Sequence, residues 1–480
     1  MSVASMSFLV FGLTVALLYN VDRRVAWRQS VLLVANAAFL TTFSLTPRAW
    51  LPYACFLFFG YLSYLLARRR ARKIYIPLLV FILVAFVWLK KYTFLPSGMF
   101  LSFPYVTLGL SYVLFRVLHL IIDTSEGVIS EYIDPVTFLN YTLNFTAVIS
   151  GPIQRYQDYA STQLVAQRPR LDIFDVGIAI ERIIFGLFKI SILGLALQTL
   201  QSRALAGLDV VSGAPLNDRI TACIVIGASY PLYLYCNFSG YTDIVIGMAR
   251  GFRLVLPENF DRPFESTNFL DFWGRWHMTL SNWLKTYVYS PLLKAMMQRF
   301  PDPKLIPYWG VISFFVTFFL IGIWHGQTSA FLVYGILLGL GVSMNKLYQI
   351  LLVQRIGRKS YKALSANLSY RAIARGLTFT YFTFSLIWFW SSWSQLQAIT
   401  HAVGGQALML ACISIFLLAT TLLAAYELIR SGVLTIVRGG RPLVSSRYVR
   451  VVWATALIVV MSAVLGLLSI PAPEVVYKAF

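Results

Sequence analysis

Leu305 to Trp324 reads LIPYWGVISFFVTFFLIGIW, twenty residues without a charge, and it runs straight into His325-Gly326. About 20 apolar residues coiled as a helix match the hydrocarbon thickness of a bilayer. In lipid, a single segment satisfies its own backbone polar groups only as a helix. The stretch therefore predicts a membrane-crossing helix with a histidine at its end. A histidine there is costly unless it serves a purpose. Gly326 beside it allows close approach of a ligand or of another backbone.

Outward from this stretch the pattern repeats. Apolar runs lie near 5–20, 31–46, 50–66, 74–89, 100–122, 136–151, 176–199 and 219–237, and then at 305–324, 329–350, 376–393, 406–428 and 450–470. Of 480 residues, 58% are hydrophobic and 12% charged, with mean hydropathy +0.70. No soluble globule of this size has that composition. The predicted fold is an all-α polytopic integral membrane protein, a single transmembrane domain over 1–480. The first run, Ser5 to Leu18, has no basic residue before it and Arg23, Arg24 and Arg28 after it. That order predicts a retained first helix rather than a cleaved signal peptide.

The net charge is +21. In a soluble protein this balance would point to nucleic acid. Here the basic residues gather in short connecting segments, as the positive-inside rule expects, so no nucleic acid is implied. Arg23, Arg24 and Arg28; Arg68, Arg69, Arg70, Arg72 and Lys73; segment 351–375; and segment 429–450 all read as cytoplasmic, the last two carrying no acid. The crossings between 67–73 and 351–375 must then be even in number, yet seven apolar runs lie between them. Either one run enters without crossing or the weak run 241–252 crosses. Irregular backbone at membrane depth needs protein or water around it, which predicts a water-accessible cavity in the middle of the protein. Cys55, Cys223, Cys236 and Cys412 are scattered without CxxC spacing and read as small hydrophobes.

One polar island interrupts the apolar pattern, at 257–291: PENFDRPFESTNFLDFWGRWHMTLSNWLKTYVYSP. Pro257 and Pro263 keep its first part non-helical. Asn268 is a suitable N-cap and Asp271 suits the first turn of a helix. A continuous helix is predicted from about Phe269 to Tyr287, with an apolar stripe of Trp273, Trp276, Leu280, Trp283, Leu284 and Tyr287 and a polar face of Asp271, Arg275, Thr279, Asn282 and Thr286. That pattern suits an interfacial helix. His277 falls off the polar face and turns toward the protein, either as a buried histidine bonded to a carbonyl or as a functional group. His325 reads either as an interfacial histidine beside the Trp324 anchor or as a catalyst. His119 shares a stripe with Arg116 and Asp123, which an internal ion pair explains as well as catalysis does. His401 is expected in a short solvated loop.

The chain has no GxSxG elbow, no phosphate-binding Walker loop and no closely spaced histidine pair of the HExxH kind. A mechanism needing one protein base fits best, and histidine can take a proton from a hydroxyl as that hydroxyl attacks a thioester or ester.

Several motifs then stand in a telling order: Gly109-Leu110-Ser111-Tyr112 leading to Asp123; Ser150-Gly151-Pro152-Ile153; Tyr235-Cys236-Asn237-Phe238-Ser239-Gly240-Tyr241-Thr242-Asp243 followed by Ile246-Gly247; Pro257-Glu258-Asn259-Phe260 and Arg262-Pro263-Phe264; Phe272-Trp273 and Arg275-Trp276-His277-Met278-Thr279-Leu280-Ser281; and Trp324-His325-Gly326. Together, over residues 105–340, they resemble the membrane-bound O-acyltransferase family. The resemblance is to the bacterial branch containing alginate O-acetyltransferase and the D-alanyl transfer protein of teichoic acid modification. It implies a helical ring around a central funnel, with re-entrant or interfacial helices, in the bacterial inner membrane. It implies His325 as the catalytic histidine and His277 as a second functional one, with Asn259, Trp273, Arg275, Trp276, Asp243 and Trp324 shaping the funnel. No metal and no bound cofactor are implied. Acetyl-CoA is the expected acyl donor, and the expected acceptor is a cell-envelope glycan, reached directly or through a periplasmic or membrane partner protein. The chain departs from the alginate-type pattern at Lys285-Thr286-Tyr287 and Pro291-Leu292-Leu293-Lys294, while Tyr334-Gly335 leans toward the D-alanyl type. D-alanyl transfer from a carrier protein is therefore the alternative. A transporter or flippase using Arg116, His119 and Asp123 as a path is the reading from another class.

Overall fold

The computed structural model describes residues 1–69, 74–166, 171–437 and 447–468. Arg70, Arg72, Lys73, Arg438 and Arg441 of the predicted cytoplasmic segments lie outside the described residues, as does the end of the 1–480 domain. Among the described residues the regular structure is helical, with one isolated bridge, Phe260 to Trp276. Seven of its helices are long and apolar enough to cross a membrane, and the protein is an all-α, multi-pass membrane protein.

By backbone contacts the chain divides into two units. The first comprises residues 1–191, 237–258 and the chain from 465 on; the second comprises 192–236 and 259–464. The first contains α1 (Met6–Tyr19), α2 (Val25–Thr41), α3 (Pro47–Arg68), α4 (Tyr75–Leu89), α5 (Leu110–Ser125), α6 (Pro135–Thr142), α7 (Tyr156–Gln163) and α8 (Ile173–Phe188). A π-helical turn at Lys189–Gly194 joins α8 to α9 (Leu195–Ala206), which belongs to the second unit with the short α10 (Leu208–Val211). Helix α11 (Leu216–Gly251) starts in the second unit and ends in the first. It merges the two runs 219–237 and 241–252 into one 36-residue helix, so the weak run is no separate crossing.

The run 136–151 does not form a spanning helix. Asp134 caps α6 by accepting from Val136 and Thr137, and Pro135 stands at the first helical position, where its missing N–H costs nothing. The helix nevertheless lasts only eight residues, roughly 12 Å at 1.5 Å per residue, too short to cross. The chain then continues as buried non-helical backbone, whose carbonyls need donors. Arg116 supplies them: its guanidinium donates to Thr142 O at 2.8 Å, Tyr141 O at 3.3 Å and Ala147 O at 3.2 Å. Asn36 Oδ1 accepts from Phe145 N at 2.8 Å, and Asn140 donates to Gln29. Gly109, which opens α5 at φ +68°, lies so close to this segment that a Cβ would sit 2.3 Å from Val148 O.

The second unit is built on α12 (Phe269–Trp273), α13 (Met278–Leu284), α14 (Ser290–Arg299), α15 (Ile306–His325), α16 (Ala330–Ala366), α17 (Leu368–Trp390), α18 (Trp393–Val403), α19 (Gly405–Val437) and α20 (Arg447–Leu468). α15 and α16 form a hairpin whose helices nearly touch. A Cβ on Gly322 would lie 2.1 Å from Gly335 Cα, so backbone meets backbone there.

Two sequence expectations fail in this unit. The continuous helix from Phe269 to Tyr287 is three pieces: α12 ends at Trp273, α13 begins at Met278, and a π-helical turn occupies Lys285–Tyr289. The chain opens at 274–277 because its backbone groups are taken by a distant strand-like segment: Asp261 N donates to Arg275 O and Met278 N to Asn259 O, both at 3.0 Å. His401 lies within α18, exposed, rather than in a loop.

Candidate active site

The polar island keeps one predicted feature intact. Asn268 caps α12, its Oδ1 accepting from Asp271 N at 2.8 Å. Five residues later the helix stops, and His277 takes φ +45° and ψ 49°, the left-handed region that a non-glycine residue enters at a cost. The turn buries the ring completely. Inwardness is thus as expected, but it comes from a chain reversal rather than from the face of a helix.

Asn259 holds the turn together. Its side-chain oxygen lies 3.3 Å from His277 Nδ1 and accepts from Thr279 N at 3.2 Å and Thr279 Oγ1 at 2.7 Å. An amide oxygen only accepts, so His277 carries its proton on Nδ1 and keeps a lone pair on Nε2. Burial lowers its pKa from 6.5 to about 3, so the ring is neutral at physiological pH. Asn259 Nδ2, Trp273 Nε1 and Ser281 Oγ in the same segment are buried without a hydrogen-bond partner. Native proteins seldom leave such groups unsatisfied, and a bound substrate or water would supply what they lack. Trp276 is packed among Phe260, Phe272 and Phe382, with ring centroids 5.1–5.5 Å away. Trp273 packs on Phe318 at 5.3 Å. Arg275 is half-exposed and paired with Asp271 and Asp261.

His325 closes α15 and is buried among Trp324, Tyr334 and Phe389, at centroid distances of 4.8, 5.9 and 5.3 Å. Gly326 is required at this position: a Cβ there would fall 2.0 Å from the Phe331 ring.

The two histidines occupy different levels of the same framework. Trp273 rests on Phe318 of α15 and Trp276 on Phe382 of α17, whereas His325 itself lies on α15 and meets Phe389 of α17. Phe318 to His325 and Phe382 to Phe389 are each seven residues of helix, roughly 10 Å. α11 links the same levels, with Tyr230 against Phe389 and Trp390 and Tyr235 against Trp276 and Phe260.

The other candidates lie elsewhere. Asp243 belongs to the first unit, where it pairs with Arg182 Nε at 3.0 Å and Lys189 Nζ at 2.6 Å, while Arg182 also holds Glu258. Sequence reading found Asp243 but missed its partners, although Arg182 and Lys189 were visible as charges inside the run 176–199. His119 Nε2 accepts from Tyr156 N at 3.0 Å and Nδ1 faces Asp123 at 3.4 Å. With both ring nitrogens engaged and Arg116 bound to carbonyls, this stripe braces the buried segment. Among the described residues no cluster of His, Cys, Asp and Glu suits a metal ion.

These features define a polytopic helical membrane protein with two buried histidines whose neighbouring rings pack on the same two helices. The sequence model of MBOAT, the membrane-bound O-acyltransferase family, matches residues 36–363, and the chain belongs to that family. It is 30% identical over 234 residues to the teichoic acid D-alanyltransferase of Bacillus subtilis (strain 168), covering 48% of this chain and 56% of that protein. It is 30% identical over 225 residues to the peptidoglycan O-acetyltransferase of Helicobacter pylori, covering 47% and 39%. It is 29% identical over 245 residues to the probable alginate O-acetylase AlgI of Pseudomonas fluorescens, covering 50% and 44%. The chain spans about half the length of the relatives it matches.

Proposed function

We propose that this protein is an inner-membrane O-acyltransferase that moves an acetyl group from cytoplasmic acetyl-CoA to a hydroxyl of an exported cell-envelope glycan, directly or through a partner protein. The observation that carries the reading is that Trp273 and Trp276, which flank His277, pack on α15 and α17 about seven residues of helix, roughly 10 Å, from the rings that surround His325. The basic segment 351–375 joins α16 to α17 at the end of α17 nearer the tryptophans, which by the positive-inside rule is the cytoplasmic end. The tryptophan level then receives the acyl donor and His325 meets the acceptor.

In this scheme His325 takes the proton of the acceptor hydroxyl as its oxygen attacks the thioester carbonyl carbon. The new C–O bond forms, the C–S bond breaks, and the departing thiolate recovers the proton from the imidazolium. His277, fixed in one tautomer by Asn259, positions the acyl donor with the free donor groups of Trp273 and Asn259. Arg275, Trp276 and Trp324 shape the passage, and Asp243 with its cations braces α8 against α11.

The test is envelope acetylation in cells expressing His325→Ala at wild-type protein levels. Loss of ester-linked acetate is expected; acetylation at the wild-type level refutes the mechanism. The 30% identity to a teichoic acid D-alanyltransferase favours a second reading, D-alanyl transfer from a carrier protein. Ester-linked alanine in place of acetate on the envelope would decide for it.

A further inference from the structure

α17 carries a third level below the two histidine levels. Seven residues before Phe382 stands Arg375, buried, donating from Nε to Glu265 O at 2.9 Å and paired with Glu427 of α19. Arg371, one turn earlier, pairs with the same Glu427. Arg430 of α19 pairs with Glu265, which also accepts from Tyr426 at 3.2 Å and faces Arg262 at 3.6 Å. Three arginines therefore line this cluster against two carboxylates, while Arg262 at its rim is held by Asp261 at 3.1 Å. They enclose a cavity of about 110 Å³ bounded also by Phe264, Leu423 and Tyr426.

A brace between helices would need one cation per carboxylate and no cavity. One water needs roughly 10–15 Å³ of such space, so this cavity holds several waters or one tetrahedral oxyanion. Guanidinium groups are suited to phosphate because their planar fork presents paired N–H donors. Excess positive charge, fork geometry and volume all describe a phosphate.

The spacing identifies which phosphate. From Arg375 to Phe389, which touches His325, α17 runs fourteen residues, roughly 21 Å. A phosphopantetheine arm has about thirteen bonds between phosphorus and sulfur, roughly 16 Å extended at ~1.2 Å per bond. Roughly 4 Å more separates a guanidinium carbon from the phosphorus it holds. The extended arm with its phosphate contact, roughly 20 Å, matches that length of α17. Along that line Phe264 packs on Phe379 and Trp276 on Phe382, an apolar wall for the arm.

We propose that Arg371, Arg375 and Arg430 form the phosphate anchor for the phosphopantetheine arm of the acyl donor, and so set the reach at which the thioester meets His325. The assignment rests on the acyl-transfer reading above. It is common to acetyl-CoA and to a carrier protein, since both present the same phosphorylated arm.

The experiment uses the full-length protein in lipid nanodiscs, with acetyl-CoA and acetyl-pantetheine as alternative donors. The second carries the thioester arm without phosphate. The quantity read is the ratio of kcat/KM for the two donors. Arg371→Gln and Arg430→Gln, the more exposed arginines, should each lower the wild-type ratio by about tenfold or more, and Arg371→Lys should restore part of it. An unchanged ratio in both Gln variants overturns the anchor. A fall seen only in nanodiscs containing phosphatidylglycerol, and absent in phosphatidylcholine alone, assigns the cluster to a lipid headgroup and also overturns it. Calorimetric binding of phosphopantetheine against pantetheine needs no turnover and separates the two readings. Wild-type protein that prefers phosphopantetheine yet transfers nothing keeps the anchor and removes acyl transfer. Protein that acetylates equally well from both donors removes the anchor and keeps acyl transfer.

Discussion

Replacing Asn259 with alanine removes one fully buried oxygen that accepts three hydrogen bonds. At a net of about 0.5–1.5 kcal/mol each, the sum is about 1.5–4.5 kcal/mol. The 3.3 Å contact to His277 is long and stands at the weak end of that range. A destabilisation of about 3 kcal/mol is therefore expected. Denaturant titration in detergent, followed by tryptophan fluorescence, suits the measurement, because Trp273 and Trp276 flank the turn. The midpoint should fall with the slope preserved. Asn259→Asp sharpens the test. It keeps an acceptor in place and sets a carboxylate beside His277 Nδ1. In the wild type, native His277 stays neutral down to about pH 3 while the unfolded chain takes up a proton below about 6.5. The unfolded state thus binds more protons in that window, and stability is lost as pH falls from 6.5 toward 3. In Asn259→Asp the native state protonates as well, and this pH slope flattens. A midpoint for Asn259→Ala within about 0.5 kcal/mol of wild type, or identical pH slopes for wild type and Asn259→Asp, refutes the role given to this oxygen.

Gly322→Ala drives a methyl group into Gly335; overpacking should cost about 1–3 kcal/mol. The resulting shift of His325 by about 1 Å should lower transfer about 100-fold, and wild-type activity would contradict the close-packed hairpin. Arg116→Leu strips the buried carbonyls of Tyr141, Thr142 and Ala147 of their donor. It should cost about 3 kcal/mol or more in thermal or denaturant unfolding, with Arg116→Lys a poor rescue because an ammonium lacks the planar fork. Asp243→Asn leaves Arg182 and Lys189 without their shared carboxylate. A loss of about 2 kcal/mol is expected, and Lys189→Met in the same chain should recover part of it; strict additivity of the two would show that the pair is not coupled.

Much of the architecture was legible from contiguous residues. The apolar runs at 305–324 and 329–350 became α15 and α16, Asn268 capped α12, and both His277 and His325 proved buried. The failures share a cause. The helix expected from Phe269 to Tyr287 has the right periodicity, yet Asn259 and Asp261 claim backbone groups at Arg275 and Met278 and open it. The run 136–151 has the composition of a span, but Arg116, some twenty residues earlier, supplies donors that make non-helical backbone tolerable there. Arg371, Arg375 and Arg430 read as topology signals because the arrangement around Glu265 and Glu427 joins positions up to 165 residues apart.

Sequence by itself determined that this is a multi-pass helical membrane protein and which histidines stand out. Span length and backbone satisfaction in lipid are properties of consecutive residues, and hydrocarbon enforces them locally. Only the tertiary structure decided that His277 occupies a left-handed turn, which of its nitrogens bears the proton, and that the arginine, tryptophan and histidine levels share one helix face at seven-residue steps. Those features are set by hydrogen bonds and ring contacts between distant segments, whose energies exist only once the helices have packed.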